Sequence, residues 1–276
     1  MCIRDRDDIV ANSMLVYRVS EPTPKPTWLA QCSTPVTPLS QEAVVDGFGL
    51  DDLRSLAFDC TQSWVYPKAG QATGWYVVHR DTLSQQDDFI EQQLAPARLS
   101  FEQKTPHEVP ALTVFEWNPP SEISAPDTGP VWAAPVEWSP AQAISDGTPV
   151  SPPVSLDGPL TFAGHEINQD GRKLTLNTYW YVKARPDRPL SLMAHLVDAE
   201  GRPVAVGDGL GVTVDQLETA DLLVQRHDLS VPEELPGRTY WLQTGIYWLD
   251  DVARLPVLAD GQPVGDRLLL SQVELE

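Results

Sequence analysis

Between Lys173 and Lys183 apolar and polar residues alternate, with Leu174, Leu176, Trp180 and Val182 on one face and Lys173, Thr175, Asn177, Tyr179, Tyr181 and Lys183 on the other. A period of two is the mark of a strand with one buried face. The same count turns Leu190, Leu192, Ala194 and Leu196 inward and leaves Met193, His195 and Val197 outward. Around Trp241, the residues Tyr240, Leu242, Ile246 and Trp248 share one face, and Trp241, Gln243, Gly245 and Tyr247 share the other. Two stretches, Leu192 to Leu210 and Arg254 to Leu270, repeat one grammar: an apolar run, an acidic-Gly turn (Glu200-Gly201, Asp260-Gly261), a Pro-Val pair and a Gly-Asp step. Gly accepts the positive φ that tight hairpin turns require, so this grammar predicts antiparallel hairpins. Residues 159–276 are thus expected to form an antiparallel β-sandwich, Ig-like or jelly-roll-like.

Upstream the pattern is mixed. Ser13 to Val19, Leu53 to Cys60 and Gly74 to Arg80 read as strands. Ser40 opens an expected helix that Gly47 and Gly49 close, and Ser84 with Asp87 looks like a capping pair before a helix that ends at Pro96. The runs ARLSFEQK and ALTVFEWN are expected to pair as a hairpin. These elements make a small α/β unit over residues 7–118. Residues 119–158 are crowded with Pro, Ser, Gly and Asp, which disfavours helices and central strands and predicts an extended connector. Trp132, Val136 and Trp138 are expected to pin it to a neighbouring surface as a strap. The fold class predicted is α+β in two domains.

The first six residues, MCIRDR, look like a translated sequencing adapter, so residues 1–6, Cys2 included, are set aside from fold reasoning. A chain of 276 residues with 42% hydrophobic content has enough apolar side chains for one large or two ordinary cores. Lys and Arg total 19 against 39 acids, a formal charge of −20, and no basic-aromatic cluster occurs. Nucleic acid is therefore not an expected partner, because cationic contacts to phosphate dominate such binding. No apolar run reaches the roughly 18–20 residues that cross a bilayer.

The order GHEIN, TLNTYWYV, LSLMAHLVDAEGRPVAVGDG, LPGRTYWLQTGIYWLDDVARLPVL and GQPVGDRLLLSQVEL resembles the C-terminal β-sandwich of large bacterial membrane glycosyltransferases of the dolichyl-phosphate-mannose mannosyltransferase type. The upstream segments WLAQCSTPVTPLSQEAVVDGFG and LAFDCTQSWVYP are similar to the extracytoplasmic region that precedes the sandwich in those proteins. The resemblance implies a position at the extracytoplasmic face of the cell membrane, a membrane-embedded portion of the same polypeptide as partner, and a non-catalytic role beside it. In such transferases the catalytic acid lies in the membrane part and its first external loop, which have no counterpart here, so the resemblance carries no catalytic residue onto this chain. It also implies an oxidising setting for Cys32 and Cys60, where a disulfide would constrain the unfolded chain by roughly 3–4 kcal/mol; two buried free thiols are the alternative.

The outward set Tyr179, Tyr181, Trp241 and Tyr247, with His195 and Gln243 as polar neighbours, is the candidate ligand face. Sugar-binding sandwiches stack sugar rings on such a platform, while a docked α/β unit or strap is the competing account of the same rings. Asp198, Glu200 and Asp208, and Asp250, Asp251, Asp260 and Asp266, gather near turns; their spacing fits no calcium loop, and acidic residues beside Gly are ordinarily turn formers. Cys60 and His79 lack the local pattern of a cysteine nucleophile. No cofactor or metal is expected. The expected function is that of an accessory region that positions an acceptor, such as a glycan, or braces the enzyme. The alternatives are a secreted carbohydrate-binding or adhesion protein and, third, a hydrolase with paired carboxylates that sequence spacing does not reveal.

Overall fold

In a computed structural model, residues 5–10, 14–18, 25–48, 52–84, 87–104, 110–118, 123–135, 142, 148–236 and 238–275 are described. Residues 1–4, Gly49, Val136 and Trp138 lie outside them. β2 (Met14–Arg18), paired in a hairpin with β1 (Asp5–Val10), takes up residues 14–18 of the first expected strand, whose ends Ser13 and Val19 lie outside the described residues. Then come β3 (Trp28–Cys32), α1 (Gln41–Phe48), β4 (Arg54–Phe58), β5 (Ser63–Tyr66), β6 (Gly74–His79), α2 (Arg80–Leu83), α3 (Asp88–Leu94), β7 (Arg98–Lys104) and β8 (Pro110–Trp117). Five of these strands form a mixed sheet in the order β4-β3-β6-β8-β7, with β3 parallel to both neighbours and β7–β8 the expected hairpin. Ser40 Oγ accepts from Ala43 N–H at 3.2 Å, as an opening cap should, but Gly47 lies inside α1 instead of closing it. At α3 the cap is Asp87, whose carboxylate accepts from Phe89 N–H at 2.9 Å. Ser84 sits too far upstream to reach that turn and instead ends α2.

The remaining strands are β9 (Val131–Ala134), β10 (Thr148–Val150), β11 (Val154–Ser155), β12 (Leu160–Asp170), β13 (Lys173–Val182), β14 (Leu190–Val197), β15 (Pro203–Val206), β16 (Leu222–Ser230), β17 (Thr239–Trp248), β18 (Val257–Ala259), β19 (Gln262–Gly265) and β20 (Arg267–Glu274). All but β18 and β19, which form a two-stranded sheet of their own, build an antiparallel sandwich together with β5. One sheet runs β11-β12-β13-β16-β5 and the other β10-β9-β20-β17-β14-β15. The alternation on β13 holds: Leu174, Leu176, Trp180 and Val182 are buried and meet Leu192, Ala194, Leu196, Leu242 and Ile246 of the facing sheet in one core. At the β18–β19 turn Asp260 and Gly261 take φ of 49° and 74°, the two left-handed residues that a two-residue hairpin turn demands. The other acidic-Gly turn uses Gly201 at φ 79° between β14 and β15.

The Pro-rich segment departs from the expectation of a connector without central strands. Its VWAA run has free amides, and β9 lies between β20 and β10, with Trp132 beside Leu269 on the outer side. β5, within the N-terminal stretch, is the edge strand of the first sandwich sheet, paired to β16. Its Trp64 and Tyr66 stand in register with Val224 and Leu222 and point away from the facing sheet, into the rings of the mixed sheet. Ring centroids lie 5.5 Å apart for Phe58–Trp64, 4.7 Å for Trp64–Tyr76 and 5.3 Å for Tyr66–Trp117. The hydrophobic core consequently runs without a break from the mixed sheet into the sandwich. Beside the rings, Arg54 of β4 forks onto the fully buried carboxylate of Asp221 at 2.8 and 2.6 Å. A disulfide joins Cys32, at the end of β3, to Cys60, just beyond β4.

Candidate functional site

The residues singled out from sequence divide between the two sheets. Tyr179 and Tyr181 belong to β13 in the first sheet, and His195, Trp241, Gln243 and Tyr247 to β14 and β17 in the second. They do not form one platform. Tyr179 shares the outer face with Trp64 and Val224, is buried, and donates its hydroxyl to Glu166 Oε2 at 2.7 Å. Tyr181 is half-buried beside the same core. Trp241 is buried opposite Val197 and Gln272, about 20 Å along β17 from Tyr247 at the rise of an extended chain.

The other three converge. Cross-strand register places Gln243 opposite His195, and Gln243 Nε2 donates to His195 Nδ1 at 3.2 Å. That leaves Nε2–H of His195 to donate to Asp208 at 3.0 Å. The Tyr247 hydroxyl donates to the same carboxylate at 3.1 Å and Ala194 N–H at 2.8 Å. Burial pushes the Asp208 carboxyl up, but the bonds from His195, Ala194 and Tyr247 outweigh it and hold Asp208 below the usual carboxylate range. Burial, with the neighbouring Asp208, pushes the Tyr247 hydroxyl up. Asp208 owes its position to the Gly-Asp step after β15: Gly207 N–H donates to Ala194 O and Gly209 pairs with Leu192, laying the loop along β14.

Asp208 also forms one wall of an open notch of about 410 Å³ at the end of β5, where β16 runs on without a neighbour from that strand. Thr61, Gln62, Asp87, Arg226 and Asp228 line the rest. Arg226 Nη1 reaches both oxygens of Asp87 at 2.7 Å, and its Nε donates to Asp228 at 3.2 Å. Burial opposes the charge on Arg226, but Asp228 and Asp87 more than restore it. The floor is His227, whose Nδ1 meets Gly207 O at 2.7 Å and whose Nε2 meets Thr178 Oγ1 at 3.0 Å. Burial lowers its pKa to about 4, so the imidazole is neutral at pH 7. The notch thus offers hydroxyl, amide, carboxylate and guanidinium groups at one opening. Such a mixture suits a polyhydroxylated ligand, whose hydroxyls both donate and accept.

The other acidic residues serve the turns. Asp198 accepts from Glu200 N–H, Arg202 N–H and Arg202 Nε, while Arg188 pairs with Asp250 and Asp251 and Asp266 pairs with Arg254 and Arg267. Among the described residues no group of three His, Cys, Asp or Glu side chains is placed to hold a metal ion. The disulfide takes up Cys60, and His79 caps α2 by accepting from Asp81 N–H at 3.1 Å. Sequence reasoning placed Asp208 among the turn formers. The signal that could have lifted it out is the hairpin itself, which folds the Gly-Asp step back onto His195. No known family model matches the chain, and no curated protein matches it.

Proposed function

We propose that this chain is a non-catalytic, extracytoplasmic accessory region of a lipid-linked-sugar membrane glycosyltransferase. It braces the enzyme and presents the Asp208 notch to the acceptor. The observation that carries the reading is the interlock of Trp64, Tyr66, Tyr76 and Trp117, which makes the N-terminal unit and the sandwich share one core. A region built this way holds a surface at a fixed attitude, which is what positioning an acceptor beside a membrane active site requires. The Cys32–Cys60 pairing supports an oxidising compartment, and among the described residues no helix is long and apolar enough to cross a membrane, so the membrane-embedded portion would be supplied by further polypeptide. The notch supports an acceptor bearing hydroxyl groups, a glycan or a glycosylated chain. A second reading, a secreted carbohydrate-binding or adhesion protein, rests on the same notch.

The upstream genomic sequence tests the proposal. An in-frame stretch encoding several apolar spans is the expected result, and a signal peptide directly upstream would replace the first reading with the second. Sugar transfer from lipid-linked mannose by the purified chain alone would overturn its non-catalytic part.

A further inference from the structure

β4 is the outer strand of the mixed sheet, and among the described residues only its Phe58 end is paired across that edge, by an antiparallel bridge to Val212. Asp59 N–H prolongs the pairing by donating to Gly211 O at 2.7 Å. Past Val212 the chain leaves the strand for the 3-10 turn Val214–Gln216. The Ser55 and Ala57 amides face the track so vacated. Each meets a side-chain carboxamide: Gln41 Oε1 accepts from Ser55 N–H and Gln216 Oε1 from Ala57 N–H, both at 3.1 Å. Gln41 Nε2 in turn donates to Leu53 O at 2.8 Å. A carboxamide carries the donor and acceptor of a peptide group, so the two glutamines occupy the places of a neighbouring strand's peptide units.

A cleft of about 400 Å³ adjoins this track, its lining including Ser33, Ser55, Ala57 and Thr213. Leu39 stands at its mouth, 55% exposed. None of its lining residues is ionisable, in a chain of formal charge −20. An ionic ligand would find no counter-charge there. The two capped amides lie about 7 Å apart along the strand, the repeat of an extended polypeptide and of no fixed sugar pattern. We propose that the β4 edge takes up an extended, uncharged segment of a partner polypeptide as an added strand, continuing the track of residues 211–212 while Gln41 and Gln216 swing aside. This rests on the accessory-region reading and deepens it, by making the acceptor a protein chain held at its backbone.

The test titrates the full chain with a library of acetylated, amidated heptapeptides alternating Ser or Thr with Ala or Val, followed by amide NMR. Expected are saturable shifts centred on Ser55, Ala57 and the carboxamides of Gln41 and Gln216, with at least tenfold weaker binding by the same peptides N-methylated at alternate amides. Gln41→Ala with Gln216→Ala, checked for an unchanged fold by its spectrum, should bind several-fold tighter. Absence of saturable shifts, shifts centred elsewhere, or indifference to N-methylation would each overturn the proposal. None of these outcomes bears on the accessory-region reading, which stands or falls on the upstream sequence.

Discussion

On the outer face of the first sandwich sheet, Trp64 is roofed by rings of the mixed sheet, with Val224 and Tyr179 in register beside it; on that of the second, His195 and Tyr247 turn to one carboxylate, Asp208. Both faces read identically along the sequence, as polar or aromatic residues out of phase with the core. What separates them is the third layer. Burying a large aromatic ring stabilises by about 4–6 kcal/mol of transfer free energy, whereas each hydrogen bond of a polar network contributes about 1 kcal/mol net. The first face is therefore an interface that holds the molecule together, and the second, also buried, an ordered polar cluster that contributes less to stability.

Trp64→Ala should break the comparison most sharply. It empties the centre of the interlock and should cost about 3–5 kcal/mol in urea denaturation; a loss below about 1 kcal/mol would mean that the roof adds little. Replacing Cys32 and Cys60 together by Ser releases a loop spanning 28 residues. That should cost about 3.5 kcal/mol, measured against the oxidised protein by the same method.

Acidification comes next. His227 sits between the sheets with its pKa lowered to about 4, against 6.5 in the unfolded chain. Its contribution is fully present above pH 6.5 and is lost as pH falls towards 4, at about 1.4 kcal/mol per pH unit and about 3 kcal/mol in all. His165, also lowered to about 4 by burial, adds with the same sign. His227→Gln should flatten the stability profile over that window. On the polar face, Asp208→Asn should cost about 1–2 kcal/mol and leave the interlock's near-ultraviolet circular dichroism unchanged. Tyr247→Phe, removing one of three donors to that carboxylate, should cost about 1 kcal/mol or less. If Asp208→Asn disturbed the aromatic signal as much as Trp64→Ala, the two faces would be one cooperative unit.

Period-two alternation located the inner faces of β13, β14 and β17 because a strand with one buried side advertises it. It could not tell what lay on the other side: every residue of β14 is buried, His195 included. β3 and β5 offer no period to read, since each is buried on both sides along its length. Proline content hid β9, whose four residues contain none. His195 and Asp208 are 13 residues apart, and only the hairpin brings them within reach. Asp87 and Arg226 are 139 apart and meet through tertiary packing alone.

Strand β5 has a bearing on the chain's integrity. The polypeptide enters the sandwich as a strand at residue 63, leaves it at residue 66 for the rest of the mixed sheet, and adds its next described sandwich strand with β9. The natural place to cut such a chain, between Trp117 and Val131, is therefore not a seam. A protease acting there would yield two fragments still sewn together by a β-ladder, a buried ion pair and a stack of rings, and they should travel as one particle until denatured. Expressed separately, each half would carry a raw edge, and each would be the other's missing piece.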